Sequence, residues 1–435
     1  MASSRRDPLL TVRGEIVHFT AEPAGRSASV CEHLPDGLLV IDGGRILRCG
    51  PANALQSALP SDARHFDYRG KLILPGFVDT HTHYAQTGII ASHGERLAAW
   101  LEKYTFPAER RFADPAHAAA EAGFFCDQLL RNGTTTAMTF ATVHPVSVDA
   151  IFEAARARRM RLIAGKVLMD RNCPDYLLEP AAKGEARSLA LIEKWHGRER
   201  LAYAVTPRFA PASTPEQLRI AGRLFASVPG LYLQSHLAEQ RTETDWVARL
   251  YPEARSYLDV YERHGLLDAR AVYAHCIWID DEDRRRMALH GAAASFCPSS
   301  NLFLGSGLFD FAKALQYGLR VGLGTDIGAG TSFSLLQTLG EAYKALQLAG
   351  QTLTPEQGFY LATLGGARAL HLDEFIGNFA VGREADFVVL DPKATPLLER
   401  RMSYAATLAE RLFVLMMLGD ERCVAATHLL GEPIR

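Results

Sequence analysis

Short apolar runs of β-strand character recur through the middle of the chain, and most are followed by stretches whose apolar positions repeat at helical spacing. Eight such runs stand out: Gly76-Phe-Val-Asp, Thr134-Thr-Thr-Ala-Met-Thr-Phe, Arg161-Leu-Ile-Ala-Gly-Lys-Val-Leu-Met, Leu201-Ala-Tyr-Ala-Val-Thr, Leu231-Tyr-Leu-Gln-Ser-His, Ala271-Val-Tyr-Ala-His, Ala292-Ala-Ala-Ser-Phe and Arg320-Val-Gly-Leu-Gly-Thr-Asp. Their spacing, about 30 residues or somewhat more, is that of one βα unit. Helices are predicted between them, for example from Pro115 to Arg131 and from Pro215 to Ala226. Eight alternating units call for a closed parallel barrel. An open doubly wound sheet is the alternative that strand counting leaves standing.

The ends of the chain carry a different pattern. Gly14-Glu-Ile-Val-His-Phe-Thr precedes Leu38-Leu-Val-Ile, Asp42-Gly-Gly and Arg45-Ile-Leu-Arg-Cys, with turn formers between strand-like runs as in a hairpin. Ala385-Asp-Phe-Val-Val-Leu-Asp391 is a further strand near the other end. We expect these segments to join, giving an α/β fold: a (β/α)8 TIM-like barrel over 74–372 and a small β-sandwich domain formed by 1–73 and 373–435. A chain of 435 residues has room for both.

Composition narrows the class. With 48% apolar residues, 22% charged residues and 35 glycines, the chain reads as an ordinary soluble enzyme or binding protein. A formal net charge of −2 gives no basic surface for a nucleic-acid partner. Arg5 and Arg6 are not followed by the apolar stretch of a secretory signal, and no run is long enough to span a bilayer. The seven cysteines are scattered, with no C-x-x-C pair, as expected of thiols in a reducing, cytoplasmic setting. Cys297-Pro298 reverses the order of the P-C-x-x-C run by which some base deaminases hold zinc, and no second cysteine follows, so that type of site is not expected.

The chemistry gathers where a barrel builds its active site, at the C-terminal ends of its strands. The first strand ends in Asp79-Thr-His81-Thr-His83, whose two imidazoles, two residues apart, share a face and can chelate one metal. The fifth ends in His236-Leu-Ala-Glu239, the sixth in His275 and the eighth in Asp326. A single histidine at a strand end is more often a satisfied polar residue than a ligand, and His93, His117 and His264 fall where solvated loops or helices are expected. Four strand ends presenting imidazoles or carboxylates to one volume point instead to a metal site.

These residues resemble those of the amidohydrolase superfamily across nearly the whole chain, through Leu74-Pro-Gly-Phe-Val-Asp-Thr-His-Thr-His83, Ser235-His236-Leu-Ala-Glu239, Tyr273-Ala-His275, Gly324-Thr-Asp326 and Gly382-Arg-Glu-Ala-Asp-Phe387. Within it they are similar to the guanine deaminases, through His83-Tyr-Ala-Gln86, Trp100-Leu-Glu-Lys-Tyr-Thr-Phe-Pro107, Gly165-Lys-Val-Leu-Met-Asp170 and Thr206-Pro-Arg208-Phe209-Ala-Pro211. Ala85 departs from the proline common at that point. The resemblance implies a homodimeric enzyme converting guanine to xanthine and ammonia, with one Zn²⁺ on His81, His83, His236 and Asp326, a set that also accepts Fe²⁺.

By the same resemblance Glu239 shuttles protons, Asp326 accepts the proton of a water, and His275 holds the attacking oxygen, although two-metal relatives use its equivalent as a ligand. Gln86, Arg208 and Phe209 are implied to read the purine, beside His83, His236, Glu239 and Asp326. An arginine fork suits O6, an amide both donates and accepts, and a phenyl ring packs on the base. Three alternatives stand beside this one. A two-metal hydantoinase or dihydroorotase would use Lys166 as a carboxylated bridge, but that lysine lies on the third strand and the H-x-x-E signature of a deaminase is present. Another one-metal deaminase or dechlorinase, acting on cytosine, an adenosine-type nucleoside or a triazine, would share the metal site. A catalytically dead barrel would be expected to have lost ligands that are retained here.

Overall fold

The computed structural model describes residues 8–23, 30–93 and 96–434. The N-terminal arginines weighed above as part of a leader lie outside the described residues. The chain begins with β1 (Leu10–Phe19), β2 (Cys31–Asp42), β3 (Arg45–Pro51) and β4 (Arg64–Pro75). At the expected hairpin Asp42 pairs with Arg45, and Gly43 and Gly44 turn the chain at φ 53° and 80°, a left-handed pair that suits glycine.

Gly76 leads directly into the barrel. Its strands are β5 (Phe77–His83), β6 (Thr134–Phe140), β7 (Arg161–Gly165) with its short continuation β8 (Val167–Leu168), β9 (Leu201–Pro207), β10 (Tyr232–Leu237), β11 (Ala271–His275), β12 (Ala293–Phe296) and β13 (Arg320–Leu323). They pair in parallel in the order β13-β12-β11-β10-β9-β7-β6-β5. Every run read as a strand in the sequence is one. The ring is nearly closed, and side chains and loop backbone bridge β13 to β5: the Asp326 amide donates to the His81 carbonyl at 2.9 Å, and the Thr325 amide to Asp79 Oδ1 at 3.1 Å. The helices Pro115–Arg131 and Pro215–Ser227 stand where periodicity placed them. Asp114 and Thr214 cap them through side-chain oxygens that accept from Ala116 and Gln217 amides.

The strands are apolar on both faces because both are buried. Leu162, Ala164, Tyr203, Val205 and Leu233 pack outward under the helices. Val78, Met138, Ile163, Ala204, Tyr232, Val272 and Ala293 fill the barrel interior, closed below by Ala367, Leu370 and Leu372. On β5 the alternation breaks between Asp79 and Thr82, where three steps oppose two on β6. This bulge has a consequence for the site. Thr80 shares the interior with Ser295, 2.6 Å away between hydroxyls, and the extra residue re-aims both His81 and His83 into the mouth above it.

After the barrel come β14 (Phe387–Leu390), β15 (Val424–Leu429) and β16 (Glu432–Pro433), which complete a seven-stranded sheet in the order β16-β15-β14-β4-β1-β2-β3. Only β1 and β4 run parallel; the other pairs are antiparallel. Two helices, Pro396–Met402 and Leu408–Leu418, intervene before β15. The second packs against the barrel helix Leu335–Leu348, with Phe413 edge-on to Tyr343 at 5.0 Å. Sheet and barrel are also joined by ions: Arg161 donates to both oxygens of Glu384, and Arg200 reaches Glu384 and Asp386. No described helix is long and apolar enough to cross a membrane.

Candidate metal centre and active-site pocket

His81 and His83 from β5, His236 from β10 and Asp326, three residues beyond β13, bring one ligand atom each to within 4.8 Å of one another. Nε2 of His81 and of His83 each lie 3.2 Å from Asp326 Oδ1, and Nε2 of His83 and His236 are 3.2 Å apart. All four side chains are nearly or fully enclosed. Burial holds the imidazoles below their ordinary range, His83 to about 3, which leaves them neutral with lone pairs to offer. His236 Nδ1 lies 2.7 Å from the Arg208 carbonyl, an acceptor only, so Nδ1 carries the hydrogen and Nε2 faces the cluster unprotonated. The buried Nε2 of His81 has no hydrogen-bond partner. Three neutral imidazoles, one carboxylate and an unsatisfied nitrogen suit a divalent metal ion.

The backbone around this cluster is unusual. Ala238, His275, Cys276 and Asp326 all adopt left-handed φ between 49° and 70°, a region costly for residues with a Cβ. These turns aim side chains from strand ends towards one point. His275 Nδ1 rests on Asn301 Oδ1 at 2.9 Å, and its Nε2 lies 3.5 Å from Glu239 Oε2 and 3.8 Å from Asp326 Oδ2. Burial opposes charge on His275, but Glu239 and Asp326 outweigh it and raise its pKa. Glu239 is raised chiefly by burial, with Asp326 adding to the effect, and accepts from Ser306 Oγ at 2.9 Å. Burial also acts to raise Asp326, but His81 and the other imidazoles outweigh it and hold its carboxyl well below the usual range.

A cavity opens over these groups. His83, Gln86, Arg208, Phe209, His236, Glu239, His275 and Asp326 all line it, so the structure brings every residue singled out above, apart from the deeper His81, to one pocket wall. Leu97, Trp100 and Leu101, from the long connection between β5 and β6, cover it. Gly328, at φ 119°, passes so close to Gln86 that a Cβ there would stand 2.2 Å from Oε1; only glycine lets the two meet.

Several contributors were not legible in advance. Glu109 holds Arg208, Asn301 orients His275, Ser306 donates to Glu239, and Glu243 accepts from the Glu239 and Gln240 amides at 2.9 and 3.2 Å. The last is a capping box, and the Glu, Gln and spacing at 240–243 could have signalled it. Lys166 turns from the cluster. Its Nζ is buried against Glu179 and the Val167 carbonyl, and so already has an ionic partner outside the cluster. Cys297 approaches His275 and Asp326, but burial holds its thiol far above the usual range and therefore protonated, unlike a ligand thiolate.

The pattern of the amidohydrolase family matches residues 72–432. The guanine deaminase of Escherichia coli (strain K12) is 50% identical over 426 residues, which cover 98% of this chain and 97% of that protein. The solved structure of E. coli guanine deaminase matches with a TM-score of 0.96 at 49% identity, covering 98% of this chain and 99% of that one. A guanine deaminase from C. acetobutylicum, solved with guanine bound in its active site, matches with a TM-score of 0.88 at 28% identity, covering 98% of this chain and 100% of that one.

Proposed function

The chain belongs to the amidohydrolase family, and from that premise we propose that it is a guanine deaminase: a hydrolase that replaces the 2-amino group of guanine with oxygen to give xanthine and ammonia. One observation carries the reading. Gln86, Arg208 and Phe209, a set that can grip and stack a purine, line the same cavity as His83, His236, Glu239 and Asp326.

Zinc is the proposed ion, held by His81, His83, His236 and Asp326, with ferrous iron accepted by the same donors. When bound, such an ion lets a water molecule lose a proton near neutral pH. The protein's own groups do the rest. Asp326 takes the proton of the water, and His275, its Nε2 turned to Asp326 and Glu239, orients the oxygen towards C2. Glu239, whose buried carboxyl is raised towards protonation, gives its proton to ring N3 and takes one back from the hydroxyl left on C2, while the proton held by Asp326 passes to the departing amine. The oxygen of water ends on C2, the C2–N bond breaks, and ammonia leaves. Arg208 and Gln86 hold O6 and the adjoining ring edge while Phe209 covers the ring.

Purine catabolism in the cytoplasm and assembly as a homodimer belong to the same reading; seven free cysteines support a reducing setting. The test is ammonia release from guanine by the purified protein. We expect xanthine and ammonia in equal amounts, loss of turnover on chelation and recovery with Zn²⁺. Comparable turnover of adenine, cytosine or guanosine would overturn the substrate assignment.

A further inference from the structure

Arg208 brings a permanent positive charge to the cavity, yet that charge is already answered. Its Nη1 donates to both oxygens of Glu109, at 2.8 and 3.0 Å, and the side chains are 3% and 1% exposed. Glu109 sits on the short helix Phe106–Arg110, whose Phe106 ring lies 5.6 Å from the guanidinium, and it is not among the cavity-lining residues. If Arg208 needed only to be held in place, a glutamine would offer an acceptor oxygen without the cost of burying a carboxylate. The carboxylate supplies negative charge as well. Arg208 is the one lysine or arginine lining the cavity among the described residues; the other titratable groups there are Glu239, Glu243, Asp326 and the imidazoles of His83, His236 and His275. Without Glu109, Arg208 would face the ligand as an unneutralised cation in a poorly solvated space.

We propose that Glu109 is a positioning residue that also sets the charge of the pocket: it fixes Arg208 and neutralises it, so the site takes the neutral base and does not retain anionic oxopurines. This rests on the reading that a purine binds against Arg208. The consequence falls on the product. Exchanging the amino group of guanine for a second carbonyl makes the purine more acidic, so the product reaches its anionic form more readily than the substrate. A lone arginine would hold that anion; the Arg208–Glu109 pair lets it go.

The test measures direct binding by calorimetry at neutral pH of urate, an anionic oxopurine, and hypoxanthine, a neutral one. Glu109→Gln should tighten urate relative to hypoxanthine by about tenfold, or about 1.4 kcal/mol. Arg208→Gln, which leaves the Glu109 charge alone beside the cavity, should shift the same ratio about tenfold the other way. Glu109→Asp, retaining the charge, should keep the wild-type ratio. Loosening of the pocket alone would weaken both ligands by one factor, and such parallel shifts, or an unchanged ratio, overturn the proposal. Should Glu109→Gln fail to fold, the paired Glu109→Gln, Arg208→Gln variant, which removes both charges together, decides: the wild-type ratio is expected, and a shift as large as that of Arg208→Gln alone overturns the proposal. Because binding is read without turnover, failure of this proposal is distinct from failure of the guanine reading, which shows as wild-type protein that releases no ammonia from guanine.

Discussion

At the lower end of the barrel, where β7 and β9 begin, Arg161 and Arg200 meet Glu384 and Asp386, and each of the four carboxylate oxygens has a donor. At the upper end His81, His83, His236, His275, Glu239 and Asp326 are as deeply buried, yet Nε2 of His81 and of His275 has no hydrogen-bond partner, two imidazole nitrogens face each other at 3.2 Å, and the backbone is left-handed at four nearby residues. Buried charge serves both ends. In the lower cluster Arg200 Nε also lacks a partner, but every carboxylate oxygen is met by a donor and the cluster ties the sheet to the barrel, whereas the upper one gathers unpartnered imidazole nitrogens around one carboxylate. Neither burial nor one unpartnered atom therefore separates structural from chemical polar groups; several lone-pair donors converging on one point, on strained backbone, do.

Substitutions at the two ends should fail in different ways. Glu239→Gln is expected to lower kcat by about 10²- to 10⁴-fold while metal content, measured by elemental analysis, and melting temperature stay at wild-type values. An unchanged rate would remove Glu239 from proton transfer. Asp386→Ala should do the converse. It leaves Arg200 partly uncompensated in a buried setting and should cost about 3–5 kcal/mol in denaturant unfolding, with the rate of the surviving folded enzyme unchanged.

Lys166→Met probes a buried charge between the two ends. Glu179 keeps Arg187 as a partner, so we expect a loss of about 1–3 kcal/mol and full activity. Loss of a second tightly bound metal on that substitution would instead mark Lys166 as a bridging ligand. The smallest effect concerns Glu243, whose carboxyl is pushed up to about 7 by burial and then by Glu239. A carboxyl raised in the folded state binds protons that the unfolded chain has released. Its contribution to stability is thus fully present below the 4.5 of an ordinary glutamate and is lost as pH rises through about 7. Glu243→Gln should flatten the wild-type fall in melting temperature across that window.

Much of the upper end was legible because its ligands sit at strand ends, and strands announce themselves by apolar runs. Asp79-Thr-His81-Thr-His83 and His236-Leu-Ala-Glu239 could be placed for that reason. The β5 bulge could not, since no residue between Asp79 and Thr82 marks a change of alternation. Glu109, Asn301 and Ser306 come from a short helix, another short helix and a loop, where spacing carries no information about which strand end lies across the gap. The lower cluster was equally silent. Arg161 and Glu384 look like ordinary surface charges until the fold buries them together.

The sheet built from both ends of the chain also bears on how the protein is made. In the finished molecule β4 is flanked by β1 and β14, with Leu72, Ile73 and Leu74 buried along the β14 edge. On the ribosome β1 to β4 emerge early, while Phe387–Leu390 follows roughly 300 residues later, a wait on the order of tens of seconds at about 5–20 residues per second. Throughout that interval an apolar strand edge has no native neighbour, the condition in which nascent chains pair wrongly with one another. We expect slower translation or less chaperone to lower the yield of folded protein in cells through this edge, without any change in the stability of the completed barrel.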